Sequence, residues 1–315
     1  MASHAPRKGN DVGLRAIVGN SGAMVRLRHE IVQLARVKCN VLITGDTGTG
    51  KELVASAIHL ESARAPKRFV CVNCAALPDS LFESELFGHE RGAFTGAYQA
   101  RAGLLEESQG GTVFLDEVGE LSLFAQAKLL RVIENKEVQR LGETRSNPMD
   151  FRVVAATNRD LERMFAAGHF RSDLFYRLNV ARIQVPALRD HIDDLPALVA
   201  HYMELLNLEF GRRITGIDEA AMECLAAHSW PGNVRELRNL LESIYVNCTG
   251  PAIRKSDLPQ QLVTHSGGDS EKQRLISALA SVNWNKSKAA RALRWSRMTL
   301  YRKLAKYGLS DLHEK

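Results

Sequence analysis

An apolar run, Val41-Leu42-Ile43-Thr44, leads straight into Gly45-Asp46-Thr47-Gly48-Thr49-Gly50-Lys51-Glu52, and an apolar-periodic segment begins at Leu53. Few local patterns restrict a fold more. A glycine-rich stretch wraps phosphates when a strand delivers the chain to it and a helix starts directly after it. Loop N–H groups and the helix N-terminus then converge on one anion. Lys51 is placed to reach the β- and γ-phosphate oxygens of ATP. Glu52 stands where Ser or Thr usually touches Mg2+, so metal binding has to lean on other oxygens.

Further apolar strands follow: Phe69–Asn73, Thr112–Asp116, Arg152–Thr157 and Ala181–Val185, with Cys39–Thr44 as the strand before the loop. Near-continuous apolar strands separated by helical stretches predict a buried parallel sheet, an α/β fold. Gly110 to Glu117 reads as a strand ending in two acids. Asp116 is then placed near Mg2+, and Glu117 can polarise the attacking water as general base. Asn158 closes the next strand, where a polar side chain senses the γ-phosphate or simply caps a junction. Asn73 ends the strand after the phosphate loop and is placed to hold Glu117 back until a ligand arrives.

From Arg189 to Val263 the periodicity becomes helical: Leu195, Leu198, Val199, Tyr202, Leu205 and Leu206 form one face, Leu237, Leu240, Leu241 and Ile244 another. Arg171 and Arg177 flank Asp173. They read either as a helix surface with an Asp173–Arg177 pair or as arginine fingers for a neighbouring subunit's nucleotide. Arg235 falls in the first turn of a helix after Trp230-Pro231-Gly232-Asn233. A cation is poorly placed there against the helix dipole, which points to a phosphate partner.

The chain has 315 residues and a net charge of +6. No apolar run approaches the ~20 residues a membrane helix needs, and the polar, basic start carries no apolar signal-peptide core, so a cytoplasmic setting is expected. Five cysteines read as reduced thiols; Cys71-Val72-Asn73-Cys74 resembles half a zinc site without a second half. Charge is uneven. From Glu271 onward eleven basic residues face three acidic ones, a net +8, which leaves −2 for the rest. Such a basic end suits nucleic acid. Asn285 to Leu293 and Arg297 to Lys306 read as a helix–turn–helix with a basic second element, the geometry that enters a major groove. Arg297, Thr299, Arg302 and Lys303 are the candidate groove or phosphate contacts, with Asn285 and Ser287 on the backbone. Leu275, Ile276, Leu279 and Ala280 form the face of a preceding helix, and Leu300 and Leu304 are expected in its core. The predicted divisions are a polar tail (1–16), an α/β nucleotide-binding part (17–188), a helical part (189–263), a linker (264–270) and a DNA-binding end (271–315).

Gly92-Ala93-Phe94-Thr95-Gly96-Ala97 lies between the phosphate loop and the acidic strand end. Two glycines and two alanines around one Phe and one Thr make a poor core segment and a good presented loop. These segments together, with Glu85 to Glu90 before the loop, resemble the AAA+ activators of sigma-54 RNA polymerase, the bacterial enhancer-binding proteins, over about Ile17 to Leu309. The resemblance implies an ATPase with a helical lid and a Fis-type helix–turn–helix. It assigns phosphate binding to Lys51, Mg2+ and water activation to Asp116 and Glu117, and the switch to Asn73. Asn158 becomes the first sensor, Arg235 the second, and Arg171 and Arg177 the trans-acting fingers. Gly92–Ala97, with Phe94 and Thr95 at the tip, becomes the sigma-factor contact, and Glu137 to Met149 a second hairpin facing a pore. Glu52 is usual at its position in this family. The implied partners are the sigma-54 holoenzyme, upstream double-stranded DNA and further copies of the chain in a ring, a hexamer by resemblance. Only ~16 residues precede the ATPase, so control is expected from a separate regulatory protein or co-activator. Two rivals differ in class: a DNA-binding regulator whose ring serves assembly alone, and an AAA+ remodelling enzyme of replication or protein disassembly.

Overall fold

The computed structural model describes residues 13–76, 79–248, 250–260, 262–263, 275–276, 278–280, 282, 284–293, 295, 297–307 and 309. Most of the expected tail and the whole expected linker 264–270 lie outside the described residues, as do the side chains of Ser287 and Arg297. The chain divides into two compact units, Met1–Tyr202 with Trp230–Leu240, and Met203–Ser229 with Leu241–Lys315.

The first unit is organised by a five-stranded parallel sheet. Its strands are β1 (Val41–Thr44), β2 (Phe69–Asn73), β5 (Thr112–Asp116), β8 (Arg152–Thr157) and β9 (Ala181–Gln184), in the order β2-β5-β8-β1-β9. Four short strands form two antiparallel hairpins beside it: β3 (Gly88–His89) with β4 (Arg101–Ala102), and β6 (Glu137–Val138) with β7 (Asn147–Pro148). All five predicted strands form. β1 opens two residues later than Cys39, and β9 closes at Gln184, ahead of Pro186.

Alternation explains why the sheet is buried on both faces. Leu42, Val113, Leu115, Val153 and Ala155 join one apolar cluster with Leu86, Leu129 and Leu174. Their neighbours Val41, Ile43, Phe114, Val154 and Ala156 join a second cluster with Leu27, Ile31, Val54 and Ile58. Side chains of a strand alternate between faces, and each fully buried Leu, Ile or Val contributes about 1.5–3 kcal/mol. The covering helices of the second face are α1 (Gly22–Arg36) and α2 (Lys51–Leu60). α1 starts at Ser21, whose hydroxyl accepts from the Met24 N–H at 3.4 Å. Buried Asp194 accepts from the Asn20 and Ser21 N–H groups at 2.6 and 2.8 Å, so a carboxylate from far along the chain completes this helix start. The first face carries α3 (Asp79–Phe87), α4 (Leu104–Glu107), α5 (Leu123–Asn135), α6 (Leu161–Ala166) and α7 (Ser172–Leu178).

Helices α8 (Leu195–Phe210), α9 (Glu219–Ala227) and α10 (Asn233–Asn247) follow. Leu195, Leu198, Val199 and Leu206 are buried as the periodicity predicts, whereas Leu205 is 42% exposed. Near the end, α11 (Lys286–Ala292) and α12 (Arg297–Lys306) form the two elements of the expected helix–turn–helix. Leu275, Leu279, Ala289, Ala290, Leu300 and Leu304 make its core, with Trp284 and Trp295 packed against it. Ala280, expected on the buried face, is exposed. Among the described residues no helix is long and apolar enough to cross a membrane.

Candidate functional site

The carboxyl ends of the parallel strands converge where this fold type binds ligands. β1 delivers Gly45, β2 Asn73, β5 Asp116 and β8 Thr157, and the register sets Asn73 beside Asp116 and Thr44 beside Thr157. Gly50 caps α2 with a left-handed backbone and no side-chain bond. The first N–H groups of a ten-residue helix are thereby left for an anion. Lys51 is 6% exposed, and its ammonium donates to Gly45 O at 3.1 Å and Asp46 O at 3.4 Å. It lies 3.5 Å from Glu117 Oε1. A buried cation at the mouth of an uncapped helix end fits a polyphosphate.

Asp116 and Glu117 are adjacent carboxylates. Burial raises the Asp116 pKa, and the Glu117 charge adds to it, while Lys51 works the other way. Two acids held together against burial form a donor set that fits a divalent cation. Glu117 has a left-handed backbone, φ 52°, an uncommon conformation that costs about 1–3 kcal/mol for a residue of this kind. That geometry turns its carboxylate back over the loop: Oε1 faces Lys51 and Oε2 accepts from Asn158 N–H at 3.3 Å. Asn158 Nδ2 donates to Thr47 Oγ1 at 2.9 Å. Lys51, Glu117, Asn158 and Thr47 are thus one connected set. Asn73 is not joined to it: its Oδ1 accepts from Ala75 N–H at 2.9 Å. Glu52 is exposed on the first turn of α2.

The Asp173–Arg177 pair of the alternative, helix-surface reading does not form. Asp173 binds Arg171 instead, at 3.1 and 2.7 Å, and Arg177 reaches Glu134 at 3.0 Å. Both arginines are exposed. Arg235 is exposed as well, and its backbone N–H donates to Gly48 O at 3.2 Å.

Sequence reasoning missed three side chains. Asn233 is wholly buried; its Nδ2 donates to Thr47 O and its Oδ1 accepts from Leu188 N–H, each at 2.9 Å. Two such bonds, about 1 kcal/mol each, offset its left-handed φ of 53°, which Asn tolerates better than most residues. It lies within Trp230–Leu237, where the sequence marks only the start of a helix with Arg235 in its first turn. Arg189 pairs with Asp46 at 3.0 Å, and no local pattern marks it. Arg140 grips Glu106 through two bonds of 2.7 Å and Glu90 through one of 2.8 Å. This fork holds the Glu106 carboxyl below the usual range and ties the β6–β7 hairpin to the root of the 92–97 loop.

That loop projects from the β3–β4 hairpin. Phe94 is 43% exposed, and its ring meets His89 edge-on at a centroid distance of 5.0 Å. Thr95, Gly92 and Gly96 are exposed, Ala93 is half-buried and Ala97 is buried. At the far end of the chain Asn285 Oδ1 accepts from Lys288 N–H at 3.0 Å, an N-cap for α11, while Arg302 is exposed and Thr299 and Lys303 are half-buried. The five cysteines are free thiols, and burial beside Asp116 and Glu117 pushes Cys74 up to about 12.

Comparison with known proteins covers most of the chain. Residues 17–184 match the Sigma-54 interaction domain, 189–275 the AAA+ ATPase lid domain, and 268–307 the Fis family of bacterial regulatory proteins. Regulatory protein AtoC of Escherichia coli (strain K12) is 45% identical, over 93% of this chain and 68% of its own length. The Nif-specific regulatory protein of Azotobacter vinelandii is 44% identical, over 88% of this chain and 56% of its own length. The crystal structure of NtrX from Brucella abortus in complex with ATP aligns with a TM-score of 0.75 at 36% identity, over 92% of this chain and 69% of that one. Thermotoga maritima RuvB, at 16% identity and a TM-score of 0.53, shares the fold. The glycine-framed loop, the linked phosphate-loop set and the C-terminal helix pair therefore sit in a chain that belongs to the sigma-54 activators, nucleotide-binding AAA+ ATPases with a Fis-type DNA-binding domain.

Proposed function

We propose that this protein is a sigma-54-dependent transcription activator that binds upstream DNA through α11 and α12. It uses ATP hydrolysis in an oligomeric ring to convert the closed polymerase complex into an open one. The observation that carries the reading is the continuous path from hydrolysis residues to exposed tip. From Arg101 the chain runs through α4 and β5 into Asp116 and Glu117, while Arg140 clamps the loop root from the neighbouring hairpin. A change at the acidic pair would reach Phe94 along that stretch of chain and through the Arg140 clamp on Glu106 and Glu90, the kind of switch that γ-phosphate contacts bias.

In the reaction Lys51, the loop amides and the α2 N-terminus bind and orient the phosphates, with Arg235 at the rim. Asp116 would hold Mg2+, and Glu117 takes the proton of the attacking water. When bound, Mg2+ neutralises charge on the phosphate oxygens. Asn158 keeps Glu117 and Thr47 in register. Glu117 starts paired to Lys51, so a phosphate that draws the ammonium away frees the base; Asn73 is the switch that holds Glu117 back from the water until a ligand arrives. Arg171 and Arg177 complete the neighbouring subunit's site. Each gives up only an exposed ion pair, which is worth little in water, whereas an arginine finger in place contributes about 10³–10⁵-fold to rate. Gly92–Ala97 touches the sigma factor through Phe94 and Thr95. Asn285, Ser287, Arg297, Thr299, Arg302 and Lys303 hold DNA in a cytoplasmic setting.

The test is transcription from a sigma-54 promoter with purified holoenzyme, ATP against a non-hydrolysable analogue. Open complexes are expected only with ATP, and Phe94→Ala is expected to abolish them while hydrolysis and DNA binding persist. Hydrolysis without open complexes on a promoter carrying a verified binding site would leave the remodelling reading or that of a DNA-binding regulator whose ring serves assembly alone.

A further inference from the structure

Three consecutive residues of the phosphate loop are held from outside it. Arg189 pairs with the Asp46 carboxylate, Asn233 Nδ2 donates to Thr47 O, and Arg235 N–H donates to Gly48 O. The middle contact is the buried one. Asn233 is 0% exposed and spends both ends of its amide, one on Thr47 O and the other on Leu188 N–H. A backbone N–H only donates and a carbonyl only accepts, so a single orientation of the amide satisfies both neighbours, and Asp cannot replace it while ionised.

Peptide geometry gives this grip a consequence. All peptide bonds described are trans, so the Thr47 C=O and the Gly48 N–H of one planar unit point in opposite directions. Pulling Thr47 O onto Asn233 turns the Gly48 N–H away from the 230–236 segment. Arg235 does the same to the next unit, whose Thr49 N–H is left with only a 3.4 Å contact to Asp46 O.

We infer that Asn233 is a positioning residue for the nucleotide reaction, one that aims the Gly48 amide at the phosphates before any ligand arrives. The inference rests on the phosphate-loop reading of residues 45–52. Its test uses the purified full chain with ADP as probe. Asn233→Gly keeps the left-handed backbone and deletes both side-chain bonds; it is expected to raise the Kd for ADP at least tenfold. Asn233→Asp is expected to weaken ADP binding at pH 8 and to regain affinity, relative to wild type, as pH falls and the carboxyl becomes able to donate. A purely structural role would lower the melting temperature and leave the Kd of the folded protein unchanged. Should neither variant fold, amide exchange in the wild type decides: the Gly48 amide is expected to slow when ADP is added. An unchanged Kd in a folded Asn233→Gly, or a Gly48 amide indifferent to ADP, overturns the inference. Failure of the wild type to bind ADP overturns the loop reading instead.

Discussion

The molecule carries two glycine-framed loops, and they use glycine for opposite reasons. At Gly48 of the phosphate loop the neighbours leave no room: a Cβ there would lie 2.2 Å from Gly232 O, and its φ of +80° is itself unfavourable for other residues. Around Gly92 and Gly96 nothing lies within 4 Å, and only the backbone, at φ +86° and +104°, asks for glycine. The bonding differs in the same sense. Thr47 O and Gly48 O are held by residues more than 180 positions away. The exposed loop closes on itself, with Gly92 N–H on Ala97 O and Ala97 N–H on Phe94 O. A site that must stabilise charge is preorganised by distant chain. A loop that must move keeps its bonds local, so that it travels as a piece.

The largest expected effect tests the preorganised side. Glu117→Gln should cut phosphate release by about 10²–10⁴-fold and leave ADP affinity within a few-fold; hydrolysis at the wild-type rate would place the base elsewhere. Gly48→Ala comes next. Left-handed strain alone costs about 1–3 kcal/mol, so a loss of about 10- to 100-fold in ADP affinity is expected by titration. Normal binding would mean the crowding at Gly232 relaxes freely, and the contrast between the loops would blur.

Asp116→Asn should move stability the other way. The Asp116 pKa is raised in the folded chain, so the folded state binds its proton more readily than the unfolded one. The ionised carboxylate therefore costs stability at neutral pH, and that cost fades as pH falls into the carboxylate range. Removing the charge is expected to raise the melting temperature by about 2–4 °C at pH 7, with a smaller gain on acidification, while hydrolysis is lost. A gain independent of pH would assign the effect to packing. The smallest effect on hydrolysis belongs to the exposed loop. Gly96→Ala should cost stability no more than the backbone strain of its φ of +104°, about 1–3 kcal/mol, and should leave phosphate release intact; a lost ATPase would mean the two loops are not separable.

The legible parts were those whose signal is local. Val41–Thr44 and Thr112–Asp116 announce buried strands by unbroken apolarity, and the acids and asparagines at strand ends follow because parallel strands all finish on one side. Leu300 and Leu304 were placed in the core by a helical period, and they are there. Leu205 and Ala280 kept the same period and ended exposed, since periodicity marks a face but not how far a neighbouring element covers it. Asp173 had an arginine on either side, at 171 and 177; the i,i+4 spacing points to Arg177, and the structure pairs it with Arg171. Arg171 precedes the helix, where an extended backbone folds its side chain back onto Asp173.

The order of strands and helices, the phosphate loop, the acidic pair, the presented Phe94 and the basic helix pair are written in residues adjacent along the chain, so the sequence by itself determined them. Only the tertiary structure decided that Asn233 holds Thr47, that Arg189 holds Asp46, and that Arg140 clamps Glu106 and Glu90. Each joins segments at least 34 residues apart. Such a bond forms because packing of the sheet and its covering helices has already brought the partners together, and no spacing rule records that.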